Sequence, residues 1–192
     1  MEKTLTDSIK KYATLFNMEF AMLAAFVATE TGGSAFDKTT GKIIIQFEPS
    51  WFKRQAKRRG RPAPNGLWEY NGVEVQSKEW AAFNDAFSKD ATAAMESTSI
   101  GLGQILGVHW AALGYNSVGE MWDAAKEGID TQVYQICLFI KATKGLHTAM
   151  KTKNFHTIAS LYNGANFEKL AIKLGREPYD VTLAKFYKKF SV

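Results

Sequence analysis

Glu30 is the carboxyl whose setting calls for a chemical explanation. It closes the most apolar stretch of the chain, FNMEFAMLAAFVATE, directly after Phe26, Val27, Ala28 and Thr29. A carboxylate at the C-terminal end of a helix meets the negative end of the helix dipole, and apolar neighbours strip it of water. Both effects raise its pKa, and a raised pKa lets a carboxyl hold a proton near neutral pH, as a general acid must. The same position also suits a frayed, solvent-exposed glutamate, so Glu30 alone does not choose between the two.

Two distant segments carry compatible chemistry. Residues 97–105, STSIGLGQI, place hydroxyls and glycines beside Gln104, which lets the backbone approach a ligand closely. Residues 161–164, LYNG, end a helical pattern with a phenol, an amide and a glycine. Amides bond sugar hydroxyl and acetamido groups, and aromatic rings stack on sugar faces. Ser99, Gln104, Tyr162 and Asn163 are therefore the candidate binding residues. A glycine turn and a helix C-cap explain either segment equally well when taken singly, and Ser99 also reads as a helix cap. Glu48, in QFEP, is a second acid that either takes part in catalysis or pins a strand end, and Asp37 reads as a turn residue.

The elements that must position these residues are mostly helical. Residues 1–16 read as a short helix, Asn17 as the cap of the apolar one, and Gly32 and Gly33 as its stop. SAFDKTTGKIIIQFEP then reads as a hairpin, with turn residues from Asp37 to Gly41, a β-branched run Ile43–Ile45, and Pro49 at its end. It is the one convincing β-element in the sequence. Residues 53–64 read as a basic helix end running into a loop, and Ser77 starts a long helix. Ser117 with Glu120 forms a capping box, and Ile129, Val133, Ile136 and Ile140 form a helical stripe stopped near Gly145. Asn154, Gly175 and Pro178 punctuate the last helices. No repeat or linker divides the chain, so residues 1–192 are expected to form a single domain.

Composition narrows the class. With 192 residues, 46% hydrophobic and 22% charged, the chain matches an ordinary globular protein, and a net charge of +5 favours polyanionic surroundings. The start has no secretory signal pattern, no run is long and apolar enough to span a bilayer, and the single Cys137 excludes an internal disulfide. Cys137 lies on the Ile129–Ile140 stripe as a small hydrophobe. His109, His147 and His156 share no metal-binding spacing, so no metal and no cofactor are expected. The cluster Lys53, Arg54, Lys57, Arg58, Arg59 and Arg61 suits a solvated face or an anionic polymer, and no nucleic-acid motif accompanies it. Trp51, Trp68, Trp80, Trp110 and Trp122 read individually as packing residues rather than sugar platforms, with Trp68, in NGLWEYNG, the one placed most like an exception.

Taken in order, ETGG at 30–33, QFEPSWF at 46–52, STSIGLGQILGVHWAALGY at 97–115 and YNG at 162–164 resemble the motifs of goose-type lysozymes and lytic transglycosylases. They look closer still to the N-acetylmuramidase family of phage endolysins, over about residues 15–190. Leu161 departs from the basic residue common before YNG, and Ala165-Asn166 from the usual Pro/Gly pair. The resemblance implies a mostly α, lysozyme-like α+β fold, with one small β-hairpin flanking an active-site cleft. It implies cleavage of the β-1,4 bond between N-acetylmuramic acid and N-acetylglucosamine, with Glu30 as proton donor. Glu48 would stabilise the oxocarbenium ion or activate water. A lytic transglycosylase is the neighbouring alternative, and a non-catalytic wall-binding or virion module a more distant one. The implied partner is the peptidoglycan glycan strand, acted on by a monomer without stable membrane association. The enzyme would be made in the host cytoplasm and reach the wall through a holin.

Overall fold

The computed structural model describes residues 1–31, 34–61, 66, 68 and 75–191. These residues fall into two compact units, Met1–Gly33 with Val133–Val192, and Ser34–Gln132.

The first unit is helical. Helix α1 (Lys3–Leu15) buries Leu5, Ile9 and Tyr12, an i, i+4, i+7 face, and packs on α2 (Phe20–Thr31). Asn17 is not the cap of α2. It adopts φ 51°, and its backbone N–H bonds Thr14 O, so it turns the chain out of α1 instead. Asparagine is among the few side chains that tolerate this left-handed conformation. Glu19 joins that connection to the far end of the chain, accepting a hydrogen bond from the Tyr187 hydroxyl at 2.9 Å and pairing with Lys153 at 3.2 Å.

Between Phe20 and Ala28 the side chains of α2 are buried on nearly every side, because α1 and α11 (Tyr179–Phe190) both pack on it. The other members are α7 (Ile129–Ala142), whose first turn belongs to the second unit, α8 (Leu146–Lys151), α9 (Phe155–Asn163) and α10 (Phe167–Lys173). The Asn154 side chain caps α9 by accepting the Thr157 N–H at 3.0 Å, and Gly175 leaves α10 at φ 61°. Gly145 takes φ 84°, three residues after α7 ends, and serves as the N-cap of α8. Gly32 and Gly33, the expected stop of α2, lie outside the described residues.

The second unit carries the sheet. Asp37 builds the expected turn, accepting the Thr40 N–H at 2.8 Å and the Thr40 hydroxyl at 2.9 Å, and a single antiparallel bridge joins Phe36 to Ile43. Strand β1 (Ile45–Phe47) then pairs with a segment some fifty residues away. Its partner is β2 (Thr98–Ile100), which pairs in turn with β3 (Ile105–Leu106), making an antiparallel sheet in the order β1-β2-β3. The β-structure therefore extends beyond the one hairpin region that the sequence announces. Strands of three and two residues are too short to show a period of their own.

Helix α3 (Pro49–Arg58) follows β1, α4 (Gln76–Lys89) packs on β1, and α5 (Ala91–Glu96) leads into β2. A short 3-10 turn (Gly107–His109) precedes α6 (Val118–Glu127), where Ser117 accepts the Glu120 N–H at 3.1 Å as its capping box requires. The helix expected from Ser77 onward breaks at Asp90, which is buried. Its carboxylate caps α5 by accepting the Ala93 N–H at 3.0 Å and pairs with Arg59 at 3.4 Å and Arg61 at 3.3 Å. Two members of the basic cluster are thus structural ion-pair partners, while Lys53, Arg54, Lys57 and Arg58 stay exposed. Trp68 packs in the core, as the packing reading of the tryptophans expects. It is 6% exposed and packs edge-on against Phe47 and Phe52 at 5.3 and 5.5 Å. The rest of the NGLWEYNG segment apart from Gly66 lies outside the described residues, as do Pro62 and Pro64.

Asp90 both caps α5 and pairs with two arginines. Asp90→Ala is expected to lower stability by about 1–3 kcal/mol, the sum of a lost cap and two half-exposed ion pairs. Asp90→Asn, which keeps the cap, should retain most of that, as read from denaturant midpoints.

Candidate active site

The first unit surrounds Glu30 with groups supplied by three other segments. Phe26, one helical turn earlier on α2, stacks edge-on with Tyr162 of α9 at 4.7 Å. Tyr162 also meets Phe139 of α7 at 5.5 Å and Tyr179 of α11 at 5.9 Å. Tyr162 hydrogen-bonds the Glu30 carboxyl, and Arg176, in the segment between α10 and α11, acts on it by charge. Oε1 of Glu30 is shielded from solvent and has no partner at hydrogen-bond geometry, and the same holds for the Tyr179 hydroxyl. Tyr179 acts on Glu30 as a nearby donor, since the bond between them is not fully formed.

Burial dominates this balance. It raises the Glu30 pKa to about 8, against the downward pull of Tyr179, Arg176 and Tyr162. The two phenols are in turn held neutral, well above their ordinary value, first by burial and then by the carboxylate's charge. The Glu30 carboxyl is thus protonated at neutral pH, as its position at the end of an apolar helix suggested. Asn163, the last residue of α9, is exposed, and Gly164 follows it at φ 88°.

Glu48, Ser99 and Gln104 belong to the second unit. Pairing of Gln46 with Ser99 and of Ser99 with Leu106 puts these residues on one sheet face, opposite the core face of Ile45, Ile100 and Ile105. Ser99 is therefore a strand residue and caps no helix. Glu48 continues the alternation on the side of Gln46, its N–H bonded to Ser97 O at 2.9 Å. It stands at the N-cap of α3 but its carboxylate makes no capping bond. Its pKa is raised by burial and by the buried Glu79, with Arg54 opposing. Glu79 supplies the strand-pinning bond that Glu48 was a candidate for, accepting the Phe47 N–H at 2.8 Å.

Gln104 sits at φ 43°, an uncommon conformation for a residue with a side chain, and its Nε2 bonds Gly101 O at 2.8 Å. That amide nitrogen is spent on the turn. The turn itself is fixed by Gln132, which accepts the Leu102 N–H at 2.8 Å and donates to Ala125 O at 2.8 Å. A Cβ at Gly101 would come within 2.7 Å of Gln132 Oε1, so the glycine there is required by both contact and its φ of 66°.

Sequence reasoning missed Gln132, Arg176 and Tyr179. None belongs to a motif, and Gln132 lies on a helix read only for its apolar stripe. Two other features bear on the expectations. Burial pushes the Cys137 thiol up to about 12, consistent with an inert core residue rather than a nucleophile. His156 lies with Glu168 and Asp180, all three ligand atoms within 4.8 Å, although their sequence spacing shows no pattern. His156 and Glu168 are largely exposed, and the group reads as a surface charge cluster.

A helical body, a small antiparallel sheet and a shielded carboxyl that keeps its proton define a mostly α, lysozyme-like protein of the glycosidase type. The chain belongs to the N-acetylmuramidase family, whose model matches residues 19–191. Among solved structures it is similar to the Burkholderia AP3 phage endolysin, at 26% identity and a TM-score of 0.79, over 97% of this chain and 70% of that one. No match is found among curated proteins. Family and neighbour together support an enzyme that hydrolyses peptidoglycan. Among the described residues, no helix is long and apolar enough to cross a membrane.

The Glu30 environment carries a stability consequence. At pH values well below its ordinary pKa of 4.5, folded and unfolded chains both hold the proton and the group is silent. As pH rises the unfolded chain releases the proton first, so the fold loses stability progressively up to about pH 8. Glu30→Gln should therefore be more stable than the parent near pH 9, by roughly 1–3 kcal/mol. The difference should vanish near pH 4, as followed by urea denaturation at both values.

Proposed function

We propose that residues 1–192 form one lysozyme-like muramidase domain of the endolysin kind, cleaving the β-1,4 bond between N-acetylmuramic acid and N-acetylglucosamine. The observation that carries this reading is the shielded Glu30 carboxyl, with a pKa near 8 and two phenols beside it. Glu30 protonates the glycosidic oxygen as the bond to the muramyl carbon breaks. Glu48, raised in basicity and free of any capping bond, takes the proton of the attacking water. Tyr162 orients the acid and Asn163 meets the sugar, and Ser99 and Gln104 are the substrate-binding candidates of the second unit. The substrate is the peptidoglycan glycan strand, and the chemistry needs no metal or cofactor. By analogy with endolysins, the protein acts as a monomer at the wall after release from the host cytoplasm.

Glu30→Gln should lower the rate of cell-wall hydrolysis by about a hundred- to ten-thousand-fold, with folding intact, since an amide gives up no acidic proton. The parent should lose activity on the alkaline side near pH 8, where Glu30 ionises. Glu48→Gln should lose activity as well, though less. Turbidity loss of purified walls measures all three, and a folded Glu30→Gln protein of near-parent rate would sink the assignment. Mass spectrometry of the digest separates hydrolysis from transglycosylation. Hydrolysis yields reducing muramic acid ends, whereas the alternative yields 1,6-anhydro ends lighter by one water.

A further inference from the structure

Strand β1 lies at the edge of its sheet, so one side of its backbone takes partners from outside the ladder. Helix α4 supplies them through two side chains three residues apart. Gln76 accepts the Ile45 N–H at 3.0 Å and donates to the Ile45 carbonyl at 2.8 Å. Glu79 accepts the Phe47 N–H at 2.8 Å. The two tasks are alike, yet a neutral amide performs one and a carboxylate the other. Accepting an N–H needs no charge, and Glu79 is 3% exposed, where an ionised group costs far more than an amide. The residue after Phe47 is moreover Glu48, a second carboxyl, half-buried at the N-cap of α3 without a capping bond. Setting like charges close together disfavours both, so the charge of Glu79 calls for a reason beyond strand pinning.

We propose that Glu79 is a positioning residue that acts on the reaction through Glu48, its buried charge making the Glu48 carboxylate a better acceptor for the proton of the attacking water. This rests on Glu48 being the base. The Phe47 N–H fixes the Glu79 carboxylate beside the strand end that carries Glu48, and the first turn of α4 favours a negative charge there. Glu79 touches neither water nor sugar in this role.

The charge balance agrees with this arrangement. Burial raises the Glu48 pKa most, the charge of Glu79 raises it further, and Arg54 opposes them. Arg54 is exposed on α3, its guanidinium 4.1 Å from the centre of the Trp51 ring. Water and salt screen an exposed charge far more than a buried one, so Glu79 prevails over Arg54. Strand β2, paired with β1, brings only the neutral Thr98, Ser99 and Ile100. On α5, packed against α3 and α4, the cap Asp90 pairs with Arg59 and Arg61, and Glu96 accepts from Trp110. The remaining charged groups of α3 and α4 are Lys53, Lys57, Arg58, Lys78, Asp85 and Lys89. Among the described residues, none of these shifts Glu48.

A base works only when deprotonated, so activity climbs with pH through the Glu48 titration. Removing the charge of Glu79 moves this acid limb to lower pH and leaves a weaker base above it. The test is Glu79→Gln in the full chain, whose amide oxygen still accepts the Phe47 N–H. Two readouts are needed: the pH profile of kcat on purified peptidoglycan, and the Glu48 titration followed by carboxyl-carbon NMR. Below the parent's acid limb the variant should be faster than the parent. At neutral pH its kcat should be roughly two- to fivefold lower, a small part of what a general base supplies. Its Glu48 should titrate at lower pH. Arg54→Gln should do the reverse and carry the limb to higher pH. Gln76→Ala loosens the same strand edge without altering charge, and should lower the rate evenly while leaving the limb in place. A Glu79→Gln protein whose acid limb and Glu48 titration stay at the parent's pH overturns the proposal. If Glu79→Gln does not fold, an unmoved limb in Arg54→Gln overturns it instead, because charge beside Glu48 then has no hold on the reaction. Failure of the underlying reading looks different: Glu48→Gln would keep the parent's rate and acid limb, whatever Glu79→Gln does to the Glu48 titration.

Discussion

The structure of the first unit turns on keeping one carboxyl dry. Helix α2 can end in Glu30 only because its preceding turns are apolar on nearly every side and are covered by α1 and α11. The same burial that stabilises those turns takes solvent from the carboxyl, and the resulting pKa of about 8 exceeds what two phenols and an arginine can reverse. Desolvation therefore wins over hydrogen bonding and charge, and by winning keeps the proton in place at neutral pH. Packing and the protonation of Glu30 are thus coupled through the shielding of its carboxyl from water.

The second unit solves a different problem, that of holding very short strands. Three residues of β1 pair with three of β2, and two of β2 pair with β3. So few ladder bonds need support from side chains. Glu79 satisfies the Phe47 N–H, while Gln76 both accepts from the Ile45 N–H and donates to its carbonyl, at 3.0 and 2.8 Å. Gln132 does comparable work at the β2–β3 turn. Buried or half-buried amide and carboxylate groups here act as extra strand partners, which explains polar residues in an otherwise apolar interior.

What was legible in the sequence follows from range. Helices α1, α6, α9 and α11 could be placed because their caps and apolar periods lie within a few residues of one another, as with Ser117–Glu120 and Asn154. Glu30 could be selected because its own helix creates its environment. Asn17 misled because asparagine suits both an N-cap and a left-handed turn, and tertiary packing decided between them. Asp90 split a continuous helical pattern because its carboxylate finds Arg59 and Arg61, which no local pattern reveals. Tyr179 and Arg176 were invisible for the same reason, since their meaning comes only from α11 folding back on α2. The family resemblance supplied the order of the motifs, but not the residues that meet Glu30 from α11 and the segment before it.

The sequence distance between Glu30 and the groups around it has a consequence for how the protein comes into being. Tyr162, Arg176 and Tyr179 all lie more than about 130 residues downstream of Glu30. During synthesis Glu30 emerges early and cannot meet all of them until residue 179 has left the ribosome. Until then its helix end is open to water, and a solvated carboxyl ionises as any ordinary glutamate does. Contacts of such long range also form late and slowly in folding. The raised pKa of Glu30 is thus conferred only once α11 has been made, and shorter polypeptides carry an ordinary carboxyl at that position.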